Sequence, residues 1–242
     1  MFKKEIIQWL EDYKKNNNVK GVVLGLSGGK DSTVVAMLAK KVWGDNMVAV
    51  MMPNGVQADI NDSIEIAKQL NLRTMTVNIG SAMTALLDAT SIDISAKSKT
   101  NIAPRLRMTV LYAIAQTLGY QVIGTGNYSE RYCSWFTKHG DGGYDFNPIQ
   151  NLTKTEVVEL GLDIAKDFEL DEKFITKQPS DGLTGKTDED NFGFTYDFLD
   201  NYLRGKLTEE EKTQNIDIIN KIELLHKAGE HKLKMPDGFI CN

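Results

Sequence analysis

A short polar turn near the start of the chain joins an apolar strand directly to a helix, and this arrangement restricts the possible folds more than any other feature. The turn spans Gly25–Ser32 and reads Gly-Leu-Ser-Gly-Gly-Lys-Asp-Ser. The apolar run 22–24 precedes it, and Val34 and Leu38 follow at helical spacing. The first N–H groups of a helix have no intrahelical partner and the helix dipole is positive there, so this turn is suited to bind an anion.

Two common phosphate-binding loops do not fit this turn. A Walker loop needs a first Gly where Leu24 stands and a hydroxyl where Asp31 stands. A dinucleotide fingerprint needs Gly-x-Gly-x-x-Gly and an acid at the end of the next strand, but residues 51–53 are Met-Met-Pro. The sequence at 27–32 instead resembles the pyrophosphate loop of the N-type ATP pyrophosphatases, which cleave ATP to AMP and pyrophosphate. A strand-to-helix turn without a ligand is the alternative.

Strands and helices alternate along the first half of the chain. Strands are predicted at about 19–24, 47–51, 73–79 and 120–123. Helices are predicted over 60–70, 101–118, 194–203 and 208–225, among others. This alternation indicates an α/β fold, a doubly wound parallel sheet with helices on both faces and extra C-terminal helices. Ligands bind such sheets beyond the carboxyl ends of the strands, where the polar turn falls.

Composition narrows the classes of partner. The 242 residues are 41% hydrophobic and 25% charged, as expected of a globular chain, and we expect a single domain over 1–242. The net charge of −5 gives no electrostatic footprint for nucleic acid, so no nucleic-acid partner is expected. Cys133 and Cys241 show no disulfide or metal pattern, which favours a cytoplasmic location. The sequence contains no run of 18 or more apolar residues, so no membrane span is predicted.

A lysine in the first turn of a helix is a second sign of an anionic partner. Thr153 and Glu156 have the spacing of a capping box, which places Lys154 at the start of a helix. A positive side chain there opposes the helix dipole, so the local structure explains it poorly. For Lys30 of the polar turn, an exposed side chain without a partner is the simpler interpretation.

Several separated motifs resemble those of the ammonia-dependent NAD synthetases, in order and over nearly the whole chain. They are GLSGGKDS, NIAPRLRM, GTGNYSE, FTKHGDGGYDFNPI, LTKTEV, and KQPSDGL followed by TDEDNFG. The resemblance implies an adenine nucleotide alpha hydrolase-like fold. It also implies that ATP adenylates the nicotinic-acid carboxylate of deamido-NAD, releasing pyrophosphate, after which ammonia displaces AMP.

The resemblance also implies roles for particular residues. The implied ATP contacts are Gly25, Leu26, Ser27, Gly28, Gly29, Lys30, Asp31, Ser32, Thr125, Lys154 and Ser180. The implied deamido-NAD contacts are Arg105, Lys138, Asp145, His231 and Lys232, and the implied Mg²⁺ ligands are Asp31 and Glu130. The family is typically a homodimer with deamido-NAD near the subunit interface. No glutaminase-like domain accompanies the motifs, so free ammonia is the implied nitrogen donor.

The chemistry gives three of these residues a catalytic role. Attack of a carboxylate on the α-phosphorus of ATP gathers negative charges, so positioning and neutralisation should dominate catalysis, with Asp31 and Lys154 contributing. Ammonium has no lone pair, so the second step needs a group that holds the cation and takes its proton, and the family resemblance favours Asp141. The alternative for Asp141 is that it bonds backbone N–H groups in its Gly-rich turn. For Asp31 and Glu130 the alternative is a solvated or capping carboxylate.

Two other functions remain open at the level of sequence. A related pyrophosphatase that modifies tRNA would share the phosphate loop, but it would need a basic face or an appended RNA domain, and neither is evident. A non-catalytic nucleotide-binding module would share the fold, but it would not need Glu130, Lys154 and Asp141 as well as the loop. The motifs therefore predict a synthetase.

Overall fold

A parallel sheet of four strands organises the part of the chain that the structure, a computed structural model, describes: residues 2–55, 60–177, 187–236 and 238–239. The strands are β1 (Val22–Gly25), β2 (Met47–Met51), β3 (Arg73–Thr76) and β4 (Gln121–Val122). Their order is β3-β2-β1-β4, with Val22 of β1 opposite Met47 on one side and Gln121 on the other. The chain therefore winds outward in both directions from β1, which places the polar turn at the centre of the sheet's carboxyl edge.

Helices follow or connect the strands. The first six are α1 (Lys3–Asn16), α2 (Lys30–Trp43), α3 (Ile60–Gln69), α4 (Gly80–Ala89), α5 (Ala96–Thr100) and α6 (Ile102–Leu118). After β4 come α7 (Tyr128–Tyr132), α8 (Lys154–Ala165), α9 (Lys173–Thr176), α10 (Asp188–Phe192), α11 (Tyr196–Leu203), α12 (Glu209–Gln214) and α13 (Ile216–Leu233). Within the described ranges, no helix combines the length and apolar character needed to cross a membrane.

Alternate residues of the central strand pack on opposite faces of the sheet. Val22 and Leu24 belong to a buried cluster with residues of α1, α2 and α8, whereas Val23 belongs to a second cluster with Leu111 and Ala115 of α6. A strand buried on both faces reads as a continuous apolar run because each face needs its own hydrophobic residues. The predicted α/β fold with helices on both faces is confirmed.

The C-terminal helices pack beside the sheet rather than on it. A third buried cluster joins Cys133, which directly follows α7, to residues of α11 and α13, including Leu199 and Ile222. This packing brings α11 against α7 and α8, both of which begin at the carboxyl edge of the sheet. The predicted extra C-terminal helices are therefore present, and they border the polar turn's neighbourhood.

Several element boundaries differ from the sequence prediction. The helix predicted over 208–225 is two helices, α12 and α13. Asn215 separates them because its backbone, with φ −114° and ψ 27°, departs from helical values. The second of them continues to Leu233. At the other end of the chain β1 begins at Val22 rather than Val19, whose N–H instead bonds Lys14 at the end of α1. The third strand ends at Thr76, three residues earlier than predicted.

Candidate active site

Glycine is required at one position of the polar turn between β1 and α2. Gly28 has φ +81°, a conformation that side chains disfavour. A Cβ there would also lie 3.1 Å from Ser63 Oγ and 3.2 Å from the Ser63 backbone nitrogen in α3. The turn is thus pressed against the start of α3, and its backbone passes where no side chain fits.

Two serine hydroxyls hold this turn closed. Ser27 Oγ lies 3.0 Å from Ser32 Oγ and accepts a hydrogen bond from the N–H of Gly29 at 3.2 Å. The hydroxyl of Ser32 in turn donates to the carbonyl of Gly29 at 2.9 Å. These bonds leave Lys30 and Asp31 in the first turn of α2, where the helix dipole favours an anion.

Lys154 is the centre of an ion triad. It opens α8, is only 4% exposed, and its Nζ donates to Asp31 Oδ2 at 2.6 Å and to Glu130 Oε1 at 2.9 Å. Asn127, the N-cap residue of α7, donates to the other oxygen of Asp31 at 3.3 Å and accepts the N–H of Glu130 at 2.9 Å. The structure therefore brings together three residues that the sequence singled out, from three different helices.

Burial and charge work against each other in this triad. Burial by itself lowers the pKa of Lys154, but Asp31 and Glu130 together outweigh burial and raise it, so the ammonium stays charged. Burial raises the pKa of Glu130, and the negative charge of Asp31 adds to this, although Lys154 opposes both. Burial, and then the positive charge of Lys154, lower the pKa of nearby Lys30. One ammonium thus faces two carboxylates, which leaves the triad with an excess of negative charge when all three groups are ionised.

The residues that the resemblance assigns to deamido-NAD form a chain of contacts along a loop. Arg105 Nε donates to the carbonyl of Lys138 at 3.2 Å, and Lys138 Nζ donates to the carbonyl of His231 at 2.7 Å. Lys232 Nζ donates to the carbonyls of Ser134 and Phe136 at 2.8 and 2.9 Å. Loop 134–138 therefore gathers four of these five residues from α6, the loop itself and the end of α13.

Asp145, the fifth of these residues, bonds elsewhere. Its Oδ2 accepts the N–H of Val122 in β4 at 2.7 Å, and its Oδ1 accepts the hydroxyl of Tyr112 at 3.2 Å. Tyr112 also lines a groove of about 500 Å³ between α6 and the Gly-rich loop, together with His139 and Gly142 among others. Asp145 therefore bonds a residue that lines the groove, and its own carboxylate is already engaged by the protein.

Asp141 bonds backbone in its own turn, which is the simpler of the two expectations for it. Its Oδ1 accepts the N–H of Thr137 at 2.9 Å. The residue as a whole is exposed, but the loop desolvates its carboxyl and raises the pKa, while the N–H of Thr137 and the charge of Lys232 oppose the rise. The bond from Thr137 uses one oxygen of the carboxylate, so the arrangement is compatible with an additional partner.

A family model described as NAD synthase matches residues 2–236. The chain belongs to the NAD synthase family. The NH(3)-dependent NAD(+) synthetase of Carboxydothermus hydrogenoformans is 41% identical over 239 residues, covering 96% of this chain and 94% of that protein. Both the family resemblance of the motifs and the fold that it implied are confirmed.

Solved structures of the same family resemble the chain over nearly its full length. The NMN synthetase from Francisella tularensis matches with a TM-score of 0.87 and 36% identity, covering 98% of this chain and 96% of that one. The NH3-dependent NAD synthetase from Campylobacter jejuni, in complex with nitrate ion, matches with a TM-score of 0.77 and 30% identity, covering 98% and 97%. The two names differ in product, which bears on the substrate of this chain.

The family resemblance implies Mg²⁺, and the oxygen donors of the triad fit it. In the described ranges no three His, Cys, Asp or Glu side chains form a cluster suited to a metal. Mg²⁺ is commonly held by one or two carboxylates, with water and substrate phosphate completing its shell. Asp31 and Glu130 already share one cation, Lys154, and burial raises the pKa of Glu130 because it disfavours the ionised carboxylate.

Sequence reasoning missed Tyr196, whose ring lies against Lys154, and Trp135, which bonds the same carboxylate as Tyr196. The Tyr196 ring centre lies 5.2 Å from Lys154 Nζ, and the Tyr196 hydroxyl donates to Asp188 Oδ2 at 2.9 Å. Trp135 Nε1 donates to the other oxygen of Asp188 at 3.2 Å. Tyr196 is buried in α11, whereas Trp135 lies in the loop after α7 and is 38% exposed. Both come near the triad only through tertiary packing, so no local spacing in the sequence marked them.

The structure describes two further implied ATP contacts, Thr125 and Leu26, but not Ser180. Thr125 is half-buried in the turn after β4, at the same edge of the sheet as the polar turn. Ser180 lies outside the described residues. Leu26 is buried, and its N–H donates to the carbonyl of Val50 in β2 at 2.9 Å.

Proposed function

We infer that this chain catalyses the amidation of deamido-NAD to NAD, with ATP as the activating substrate and ammonia as the nitrogen donor. The observation that carries this inference is the Lys154 triad at the phosphate-binding turn, in a chain of the NAD synthase family. The relative from Carboxydothermus hydrogenoformans is named an NH(3)-dependent NAD(+) synthetase, which supports the substrates. The enzyme is then a ligase that forms a C–N bond.

The triad suits the first step, in which a carboxylate oxygen attacks the α-phosphorus of ATP. The P–O bond to the β-phosphate breaks, and pyrophosphate leaves with the electron pair. The first turn of α2 and the Lys154 ammonium provide positive charge where phosphate charge gathers, and burial of Lys154 strengthens its electrostatic effect. Lys154 exchanges no proton, because its raised pKa keeps it charged.

Mg²⁺ would be held by Asp31 and Glu130, and it would neutralise phosphate charge when bound. Lys154 contacts both carboxylates and therefore sets their separation before ATP binds. Asn127 orients the second oxygen of Asp31 and the backbone of Glu130. These residues of the chain fix the direction in which the two carboxylates point.

Asp141 would serve the second step. A carboxylate holds ammonium and takes one proton from it, which releases ammonia with its lone pair. Ammonia adds to the acyl carbon of the adenylate, the C–O bond to AMP breaks, and the extra proton on nitrogen is lost. The raised pKa of Asp141 makes its carboxylate a better proton acceptor than an ordinary Asp. Its bond to Thr137 fixes the side chain in the loop.

We also propose a homodimer that covers the face formed by α4 and α6. The helix α4 is apolar in sequence, yet none of its residues is buried. Leu86 of α4 is 45% exposed, and Tyr112 of α6 is 37% exposed beside the groove. Covering this apolar face removes it from water, and the resemblance puts deamido-NAD near the subunit interface.

A single domain over 1–242 and a cytoplasmic location belong to the same proposal. The family model spans residues 2–236, which supports one domain of this family over that range. Cys133 is a free, buried thiol, which fits a reducing compartment.

A second substrate deserves a direct comparison because of one observation. The solved NMN synthetase from Francisella tularensis matches this chain with a higher TM-score and identity, 0.87 and 36%, than the solved NAD synthetase from Campylobacter jejuni, 0.77 and 30%. The same chemistry applied to nicotinic acid mononucleotide would give NMN. This substrate shares the nicotinate carboxylate, so the triad and Asp141 would act on it identically.

The experiment is an amidation assay with both acids in parallel. The purified chain is incubated with ATP, Mg²⁺ and ammonium, and with deamido-NAD or nicotinic acid mononucleotide, and the amides are quantified by chromatography. We expect NAD from deamido-NAD with the higher kcat/KM, and little activity when glutamine replaces ammonium. A higher kcat/KM for the mononucleotide would reassign the substrate, and failure to amidate either acid would overturn the proposed function.

A further inference from the structure

A buried carboxylate joins the two helices that carry Glu130 and Lys154. Asp200 of α11 is 4% exposed, and it accepts a hydrogen bond from the Ser129 hydroxyl at 2.5 Å and another from the N–H of Thr155 at 2.8 Å. It lies outside every motif that marks the family in this sequence. Its partners are an uncharged hydroxyl and a backbone N–H. Because burying a carboxylate without a cation beside it is costly, its position needs a physical reason.

Both partners of Asp200 are sequence neighbours of the triad. Ser129 precedes Glu130 in α7, and Thr155 follows Lys154 in the first turn of α8. The Ser129 hydroxyl also accepts the N–H of Lys154 at 2.9 Å. One carboxylate and one hydroxyl therefore fix the start of α8 to α7, and with it the separation of Lys154 from Glu130.

The same helix face reaches Lys154 a second time. Tyr196 lies four residues before Asp200 in α11, so both side chains project from one face. The Tyr196 ring covers the Lys154 ammonium, and Asp200 bonds the backbone next to it. The helix α11 thus holds Lys154 from the side chain and from the backbone.

A carboxylate is a costly way to cap a helix, and this cost needs an offset. Burial raises the pKa of Asp200, while the hydrogen bonds from Ser129 and Thr155 oppose the rise. A neutral hydroxyl caps the same helix at Thr153, which accepts the N–H of Glu156. Hydrogen bonds to an ionised acceptor are shorter and stronger than neutral ones, so the carboxylate fixes the helix start more firmly. The positive end of α8 also favours an anion.

We propose that Asp200 is a positioning residue for the amidation reaction, which acts through Ser129 and Thr155 to hold Lys154 and Glu130 at their working separation. The inference rests on the proposed function in that Lys154 is taken to serve the ATP phosphates. Asp200 itself touches no substrate. Small displacements of a positioned charge lower the reaction rate strongly. The hydrogen bonds of Asp200 therefore affect catalysis more than folding.

An amide at position 200 tests the link with little change of shape. Asn has one acceptor oxygen where Asp has two, so either Ser129 or Thr155 loses its partner. Ser129→Ala removes a single oxygen and breaks the same link from the other side. Asp197→Asn is the matched control, because Asp197 is an exposed residue of the same helix.

The test is a double-mutant cycle with Lys154→Met. We expect Asp200→Asn and Ser129→Ala each to lower kcat for NAD formation roughly 10- to 100-fold, with the KM for deamido-NAD unchanged. In the Lys154→Met background the same changes should alter kcat within about twofold, because the residue they position is gone. Calorimetry should show the same pattern for the affinity of the magnesium complex of a non-hydrolysable ATP analogue. Asp197→Asn should change neither quantity.

Equal losses in both backgrounds would show a purely structural role, and no loss in the parent chain would show no role at all. Either result overturns the proposal. Circular dichroism checks that each variant is folded, and if Asp200→Asn unfolds the chain, Ser129→Ala carries the test. If the parent chain does not amidate deamido-NAD but analogue binding shows the coupling to Lys154, the proposed function fails and the positioning role of Asp200 stands.

Discussion

The two halves of the candidate site are built differently. The ATP half is buried, and its charged side chains bond one another, as Lys154 does with Asp31 and Glu130. The deamido-NAD half is more exposed, and its basic side chains Arg105, Lys138 and Lys232 bond backbone carbonyls. The charged groups of the first half bond one another within one chain, whereas the second half lies near an apolar face on α4 and α6 that no described residue covers. We therefore expect changes in the first half to act on ATP and changes at the apolar face to act on deamido-NAD.

The largest effect should follow from breaking the ATP half. Lys154→Met leaves two buried carboxylates without their shared cation and removes positive charge from the phosphates. We expect kcat for NAD formation to fall by about 10³-fold. Pyrophosphate exchange should fall equally, because adenylation itself is lost. Lys166→Met, an exposed change just after α8, is the control and should leave both rates unchanged. A loss confined to amide formation would show that Lys154 acts in the second step.

A smaller and more selective effect is expected from Asp141→Asn in the Gly-rich loop. The amide keeps an acceptor for the N–H of Thr137 but cannot take a proton from ammonium. NAD formation should fall by roughly 10²-fold, and deamido-NAD-dependent exchange of labelled pyrophosphate into ATP should persist. Higher pH should restore part of the NAD formation, because free ammonia becomes more abundant. If exchange and NAD formation fall together in a folded variant, the residue belongs to adenylation or to the scaffold.

The smallest effect should come from the apolar face itself. Leu86→Glu places a charge on α4, which should oppose burial of this face in a dimer. We expect a monomeric mass by light scattering and a KM for deamido-NAD raised roughly tenfold, with affinity for an ATP analogue unchanged. Leu224→Glu, at an exposed apolar residue of α13, is the matched control. A dimer that persists in Leu86→Glu, or a monomer with an unchanged KM, would contradict the proposed dependence on a second copy.

The parts that the sequence could predict are those fixed by short-range pattern. The polar turn, the parallel sheet and the position of Lys154 in a first turn all follow from spacing within about ten residues. The meeting of Asp31 with Glu130 follows from topology, because β1 and β4 are neighbours and their carboxyl ends share an edge. The mismatch of Lys154 with its helix dipole indicated an anionic partner, and the structure supplies two.

The rest depends on packing that no local pattern encodes. Tyr196, Asp188 and Asp200 reach the triad from helices that pack beside the sheet, so their spacing from the phosphate turn carries no signal. The described part of the chain leaves the apolar helix α4 exposed, and no pattern within its own sequence indicates what covers it. The break at Asn215 is a local backbone choice that the hydrophobic spacing of the two helices did not reveal.

Pyrophosphate exchange without ammonia tests the proposed adenylation of deamido-NAD most directly. The chain is incubated with ATP, Mg²⁺, labelled pyrophosphate and deamido-NAD, and label entering ATP is measured. Because adenylation needs only the ATP half and the acid, we predict exchange that requires deamido-NAD, and adding ammonium should convert it into release of NAD, AMP and pyrophosphate. Absence of exchange, or formation of ADP and phosphate instead of AMP and pyrophosphate, would contradict the account.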